Sequence, residues 1–188
     1  MPEPVGDDTL SEILDLARRA PSAGNTSAVE FLVLSQPAAV AHYWSTTFTP
    51  EKRATFAFPG LFAAPAIVIL TTRPEAYVQR YSEPDKKRTG LGDHPDAWTV
   101  PYWWVDAGAV IQNLLLLVQT RNLAACLFGL FDHEDAVRKE FGVPSDRRVV
   151  AGIAIGYDAG DRQQGRSASR PRAPIDQITF WQEWPAPR

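Results

Sequence analysis

Residues 102–122, YWWVDAGAVIQNLLLLVQTRN, constrain this chain more than any other stretch. They are apolar nearly all round at helical length. Such a helix lies at the centre of a fold or packs against another subunit. Its charge-free run, Ala107 to Thr120, carries Gln112, Asn113 and Gln119 and falls short of the ~18 apolar residues that a membrane span needs. The stretch therefore predicts a buried helix and no membrane association.

What surrounds that helix mixes both periodicities. Thr9 and Glu12 stand at capping-box spacing, and Leu10, Ile13, Leu14 and Ala17 share one helical face, so residues 9–20 predict a helix that Pro21 ends. Phe31 to Leu34 and Ala66 to Thr71 are short apolar runs between breakers, the pattern of buried strands, with a short helix expected at Pro37 to Trp44. From Arg73 to Pro101 prolines, glycines and charges alternate without period, which suggests a functional lid or a mobile loop. Ala124 to Phe131 reads as extended. DHEDAVRKEFGVP follows as a helix that Asp132 can cap, favoured by Glu134 and Asp135 and ended by Gly142 and Pro144. Arg148 to Tyr157 is a strand in which Gly152 and Gly156 permit another backbone to come close. The tail is loop-like from Asp158 until an apolar segment with Ile178, Phe180, Trp181 and Trp184. No internal repeat occurs. The mixture predicts an α+β class, and 188 residues that are 45% hydrophobic suffice for one domain over 1–188.

Net charge of −3 gives no general attraction to nucleic acid or to an anionic membrane, so any anion must be held by a local basic cluster. One cysteine, Cys126, excludes an intrachain disulfide, and MPEPVGDD lacks the basic start and apolar run of a secretory signal. A reducing cytoplasm is the expected location.

Side-chain catalysis finds little support. His42, His94 and His133 lie far apart and lack metal-ligand spacing to Cys126 or to one another. GLGDHP at Gly90 follows no strand, and no nucleophile elbow or Walker loop occurs. A chain with little chemistry of its own can borrow it from a cofactor. Two segments suit an anionic, planar one. Pro21 to Asn25 forms a compact turn offering hydroxyl, amide and freed backbone groups, where Gly24 admits close approach. Arg162, Arg166, Arg170 and Arg172 stand without an acid among them, and their planar donors match a phosphate; each segment also has an ordinary reading, as a helix-to-strand turn and as a disordered basic loop.

Taken with the rest of the chain, "LARRAPSAGN" (16–25) resembles the A-P-[ST]-x-x-N signature of the nitroreductase family of FMN-dependent oxidoreductases. "DAGAVIQNLLLLVQTRNLAACLFG" (106–129), "FGVPSDRRVVAGIAIGY" (141–157) and the arginine-proline segment follow in the family's order. The resemblance implies a sheet flanked by helices, with the long helix and Asn113 at the core of a homodimer and FMN at the subunit interface. It places Pro21, Ser22, Ala23, Asn25 and Ser27 against the isoalloxazine and ribityl groups, the backbone of Phe128 and Gly129 beside the central ring, and Arg170 and Arg172 on the phosphate. The segment through Trp184 would wrap the partner. Two departures stand out. Relatives usually begin with an Arg-x-Ser-x-Arg segment, whereas no basic residue precedes Arg18, so that either FMN is loosely held or Lys52, Arg53 or the Lys86-Lys87-Arg88 run, which also reads as a solvated patch, substitutes; and Ser27 stands where relatives often carry glutamine or another larger polar residue.

The activity so implied is hydride transfer from NAD(P)H through FMN to a nitroaromatic, quinone or similar flat acceptor. Tyr77, Tyr81, Trp98, Trp103 or Trp104 either frame the acceptor or, for the Trp103-Trp104 pair, fill the core. A flavin-binding or sequestering protein without turnover and a specialised-metabolite dehydrogenase are the alternatives. The donor's identity, NADH, NADPH or a deazaflavin, is left open.

Overall fold

The computed structural model describes residues 3–158, 160 and 166–184. The chain forms two compact units, Met1–Asp158 and Ala159–Arg188.

The first unit is built on a sheet of four strands, β1 (Val29–Leu34), β2 (Ala66–Thr72), β3 (Ala124–Phe128) and β4 (Arg148–Gly156), in the order β1-β2-β4-β3 with every neighbour antiparallel. β2 is buried on both faces, as its unbroken AIVILTT run requires. Its alternate residues face two different cores. Ala66, Val68 and Leu70 meet α1 (Asp7–Ala17) through Leu10, Ile13, Leu14 and Ala17, and α5 (Tyr102–Thr120) through Ala107, Val110, Ile111, Leu114 and Val118. Ile67 and Ile69 meet the opposite layer, α2 (Pro37–Thr47) and α6 (Glu134–Glu140), through Val40, Tyr43, Trp44 and Val137. A register shift after Leu70 lets β4 serve both: Ala151, Ile153 and Ile155 point to the first core while Val149 points to the second. A bulge of one residue reverses which face a strand presents.

The long helix behaves differently from its sequence. α5 buries one face and leaves Tyr102, Val105 and Leu116 exposed on the other, with Leu116 at 54%. Asn113 donates from Nδ2 to the Ala17 carbonyl at 3.4 Å, tying α5 to the end of α1.

Four local expectations are corrected. α1 begins at Gly6 with no side-chain cap, so Thr9 and Glu12 form no capping box. Asp132 does not cap α6: it lies in a single 3₁₀ turn, Phe131–His133, ahead of the helix. Residues 73–101 are not one irregular loop but hold α4 (Pro74–Tyr81), and Trp98 is buried, its indole donating to the Leu91 carbonyl at 2.9 Å. The close approaches expected at Gly152 and Gly156 are made by side-chain rings, Phe128 and Pro65, and not by backbone.

α3 (Pro50–Ala54) completes the first unit's helices. In the second unit, α7 (Ile175–Ile178) is a single turn, and Ile175, Ile178, Trp181 and Trp184 are exposed. Phe180 and Trp184 pack ring on ring at 4.2 Å. Arg162 lies outside the described residues. Among those residues no helix is long and apolar enough to cross a membrane.

Candidate functional site

The turn between α1 and β1 has a tightly constrained backbone. Gly24, Asn25 and Ser27 all take left-handed φ, at 63°, 56° and 49°. Non-glycine residues hold such angles only where neighbours enforce them. Here the enforcement is dense. Asn25 N donates to Ser22 O at 2.9 Å, Ser27 N to Ser22 Oγ at 3.0 Å, and the Thr26 hydroxyl to Ala23 O at 2.6 Å. Two long-range anchors complete it. Ala23 N donates to Asp106 Oδ2 at 2.8 Å, and Arg80 Nε donates to Gly24 O at 2.9 Å while its guanidinium is itself held by Asp85 at 2.8 Å through both terminal nitrogens.

The backbone donors the sequence reading counted as free are therefore largely occupied. What the turn presents outward is side chains: Asn25 and Ser27 are exposed and Ser22 is half-buried. These are neutral donors and acceptors, with no acid among Pro21 to Ala28. Behind them lies a small cavity of about 130 Å³, lined by Ser22, Ser27, Tyr77 and Asp106 among others.

Asp106 is the residue the sequence reading missed as a site component. It is buried to 5% exposure, and its Oδ2 also accepts the Tyr77 hydroxyl at 2.8 Å. Burial, reinforced by the Asp106 hydrogen bond and charge, raises the Tyr77 hydroxyl far above the ordinary tyrosine range. The signal was available. Asp106 is the one charged residue from Tyr102 to Thr120, and it falls on the buried stripe 103, 106, 107, 110, 111, 114, 118.

Beside the turn, Ala23, Tyr81, Leu91, Trp98 and Tyr102 line a cavity of about 500 Å³. Trp98 packs edge-on against Tyr81 at 4.7 Å and Tyr77 at 5.8 Å. The tryptophan pair divides: Trp103 is buried with Tyr77 and Trp98, whereas Trp104 is partly exposed with the Arg148 guanidinium 5.6 Å over its ring.

Phe128 and Gly129 are elsewhere. They line a separate cavity of about 530 Å³ with Tyr43, Trp44, Phe48 and Phe56, and the ring of Phe131 covers Gly129. The pairings Val29↔Thr72, Thr72↔Arg148 and Phe128↔Gly152 put the turn and Gly129 at the same end of the sheet. They sit on its opposite edge strands, three strand spacings or roughly 14 Å apart.

Two arginines at that end are paired with carboxylates. Arg147 pairs with Glu30 at 2.8 Å and with Asp146, and Arg148 with Glu134 at 3.1 Å. Burial alone would raise the Glu134 carboxyl, but Arg148 and the Val149 N–H outweigh it and hold it below its ordinary value. Arg170 and Arg172 are exposed in the second unit. Lys86, also offered as a substitute cation, lies 5.7 Å from the Tyr81 ring, and Arg53 lies 4.7 Å over Phe62. Among the described residues no group of His, Cys, Asp and Glu is placed to hold a metal.

Comparison with known proteins agrees with this architecture. Over 78 residues the chain is 37% identical to a 4-nitrobenzoate reductase of Nocardioides sp., a match spanning 40% of this chain and 31% of that protein. It is 26% identical to an NADH dehydrogenase of Thermus thermophilus across 95% of its own length and 87% of the relative's. An FMN- and NADPH-dependent nitroreductase of Sphigopyxis sp. shares the fold with a TM-score of 0.62, at 20% identity and with 98% and 93% of the two chains covered. A family model, that of the nitroreductase family, matches residues 1–157, and the chain belongs to that family.

Proposed function

We propose that this chain binds FMN at the turn of residues 21–27 and acts as an NAD(P)H:acceptor oxidoreductase on a nitroaromatic, a quinone or a similarly flat molecule. The observation that carries this is the turn: three left-handed residues pinned from several sides, with uncharged polar side chains facing outward. Such a surface suits the polyol and ring edges of a flavin. The close approach that Gly24 was expected to offer a ligand is taken by the chain itself: a Cβ there would meet the Tyr81 ring at 2.7 Å, so the flavin would meet the turn through its exposed side chains. The FMN dependence of the similarly folded nitroreductase supports the same cofactor. When bound, FMN supplies the two-electron redox chemistry that no side-chain cluster here provides.

The residues then divide the work. The side chains of Ser22, Asn25 and Ser27 orient the ring and ribityl chain, with Pro21 and Ala23 in contact beside them. Phe128 and Gly129 place backbone beside the ring's centre. Arg170 and Arg172, which match the family's C-terminal phosphate anchors and are exposed, take the phosphate. Tyr81, Trp98 and Tyr102 wall the neighbouring cavity, whose aromatic lining suits a flat acceptor. Stacking acceptor on ring is positional catalysis and needs no acid–base pair.

The same geometry supports a homodimer. Within one chain the turn and Gly129 line different cavities, and the space behind the turn is smaller than the roughly 300 Å³ at which small-molecule sites begin. The exposed apolar stripe of α5 is the surface a second copy would cover, so that a turn from one chain and Gly129 from the other meet at one flavin. The exposed aromatics of the second unit suit the same partner.

The alternative, a flavin binder without turnover, draws support from the committed state of Arg147 and Arg148. Fluorescence titration with FMN and riboflavin, followed by NADH and NADPH oxidation with a nitroaromatic acceptor, separates these readings. FMN binding with turnover supports the enzyme. Binding without turnover selects the alternative, and no saturable binding of either flavin overturns both.

A further inference from the structure

We propose that Asp106 is the positioning residue of the flavin turn, acting through the Ala23 amide and held in register by the Tyr77 hydroxyl. This rests on the flavin assignment above.

A carboxylate at 5% exposure in an apolar helix is costly to bury, and it persists only when donors satisfy it. Asp106 meets two, the Ala23 N–H and the Tyr77 O–H, each at 2.8 Å and both on Oδ2. Ala23 lies 83 positions away in sequence, at the point where the turn enters its left-handed run. Tyr77 is fully buried among Ala28, Ala76, Trp98 and Trp103. The contact therefore joins three elements, α4, α5 and the turn, at a single oxygen.

Two further facts show that the turn is what this junction serves. Arg80, one turn along α4 from Tyr77, donates to the Gly24 carbonyl at 2.9 Å, so α4 holds the turn's acceptor while Asp106 holds its donor. And Ala23, fixed by Asp106, also lines the aromatic cavity with Tyr81, Trp98 and Tyr102. One carboxylate thus sets both the surface presented to the flavin ring and the floor of the cavity beside it.

The test is flavin affinity in Asp106→Ala, Asp106→Asn and the double variant Asp106→Leu with Tyr77→Phe, measured with FMN and with riboflavin and reported with binding stoichiometry. A hydrogen bond to a charged group corresponds to about tenfold or more in affinity. Asp106→Ala is expected to weaken FMN and riboflavin by the same factor of about ten or more, leaving their ratio unchanged, because the turn touches the ring and ribityl chain and not the phosphate. Asp106→Asn retains an acceptor oxygen and is expected to stay within about threefold of wild type. The double variant replaces both polar partners by apolar groups and keeps the packing, so it is the folded control should alanine fail to fold. It is expected to show the same loss.

A purely structural role would lower the fraction of protein that binds while leaving the dissociation constant of the folded fraction untouched. That result in the alanine or double variant overturns the proposal. Equal loss in Asp106→Asn and Asp106→Ala overturns it too, since the accepting oxygen is then irrelevant. A wild-type chain that binds neither flavin overturns the flavin assignment itself, and this inference with it.

Discussion

Tyr77 and Asp106, 29 positions apart in the chain, meet at 2.8 Å in the interior, where the phenol donates to the same carboxylate oxygen that receives the Ala23 amide. Their pairing has an alkaline signature. Burial and the adjacent carboxylate raise the Tyr77 hydroxyl above its ordinary value of 10.0, and burial does the same for Tyr43. A group whose folded value is raised contributes stability that is complete below the unfolded value and lost as pH climbs beyond it. Unfolding free energy is therefore expected to decline above about pH 10, and Tyr77→Phe should make that decline shallower while costing about 1–2 kcal/mol at neutral pH. Denaturant titrations from pH 7 to 12 check both.

Gly24→Ala should be destabilising beyond its size. The residue sits at φ 63°, and a Cβ there would lie 2.7 Å from the Tyr81 ring. The backbone penalty alone is about 1–2 kcal/mol, and the clash displaces a ring that lines the proposed acceptor cavity. Denaturant melts together with acceptor KM should both shift in this variant.

Gly152 carries the second steric test. A side chain there would overlap the Phe128 ring, which is packed against Trp44 at 5.8 Å and Tyr43 at 6.4 Å. Gly152→Ala is expected to cost about 1–3 kcal/mol, the range for overpacked cores, and Phe128→Leu in the same chain should recover part of it. A double-mutant cycle in urea measures the coupling.

Glu134 links the start of α6 to β4 through Arg148 Nε and Val149 N, both at 3.1 Å. Its carboxyl is held below the ordinary value of 4.5, so its contribution is present above that value and lost as pH falls through the folded one. Glu134→Gln should lower stability by about 1 kcal/mol at pH 7, or roughly 2–4 °C in Tm. The difference from wild type should vanish toward pH 3 in thermal melts.

Arg170→Ala is expected to weaken FMN by about tenfold and leave riboflavin unchanged, as removal of a charge-assisted phosphate contact requires. Equal affinity for FMN in wild type and variant would move the phosphate elsewhere.

The elements legible in the sequence were those whose period or apolar run is strong. All four strands start and stop within three residues of their predicted ends, and α5 begins at the expected Tyr102. α4 was not legible. Pro74 at its first position and only eight residues, two of them buried, give no period to read, and helices so short depend on tertiary packing. The capping box at Thr9 and the cap at Asp132 failed for the converse reason. Each motif is local, and both helix starts are placed by the packing of Leu10 and Val137 into opposite cores.

Of the candidate site, the sequence by itself determined the turn, because proline, glycine and asparagine have intrinsic backbone limits that no context removes. It also determined the start and apolar character of α5, while which face is buried came from the tertiary structure. Only the tertiary structure decided that the turn hangs from Asp106 and Arg80, that Gly129 lies at the far edge of the sheet, and that Arg147 and Arg148 are committed to carboxylates. Those are partnerships between residues separated by 14 to 117 positions. Their energies depend on distance and burial in the folded chain, and neither quantity is written in any local window.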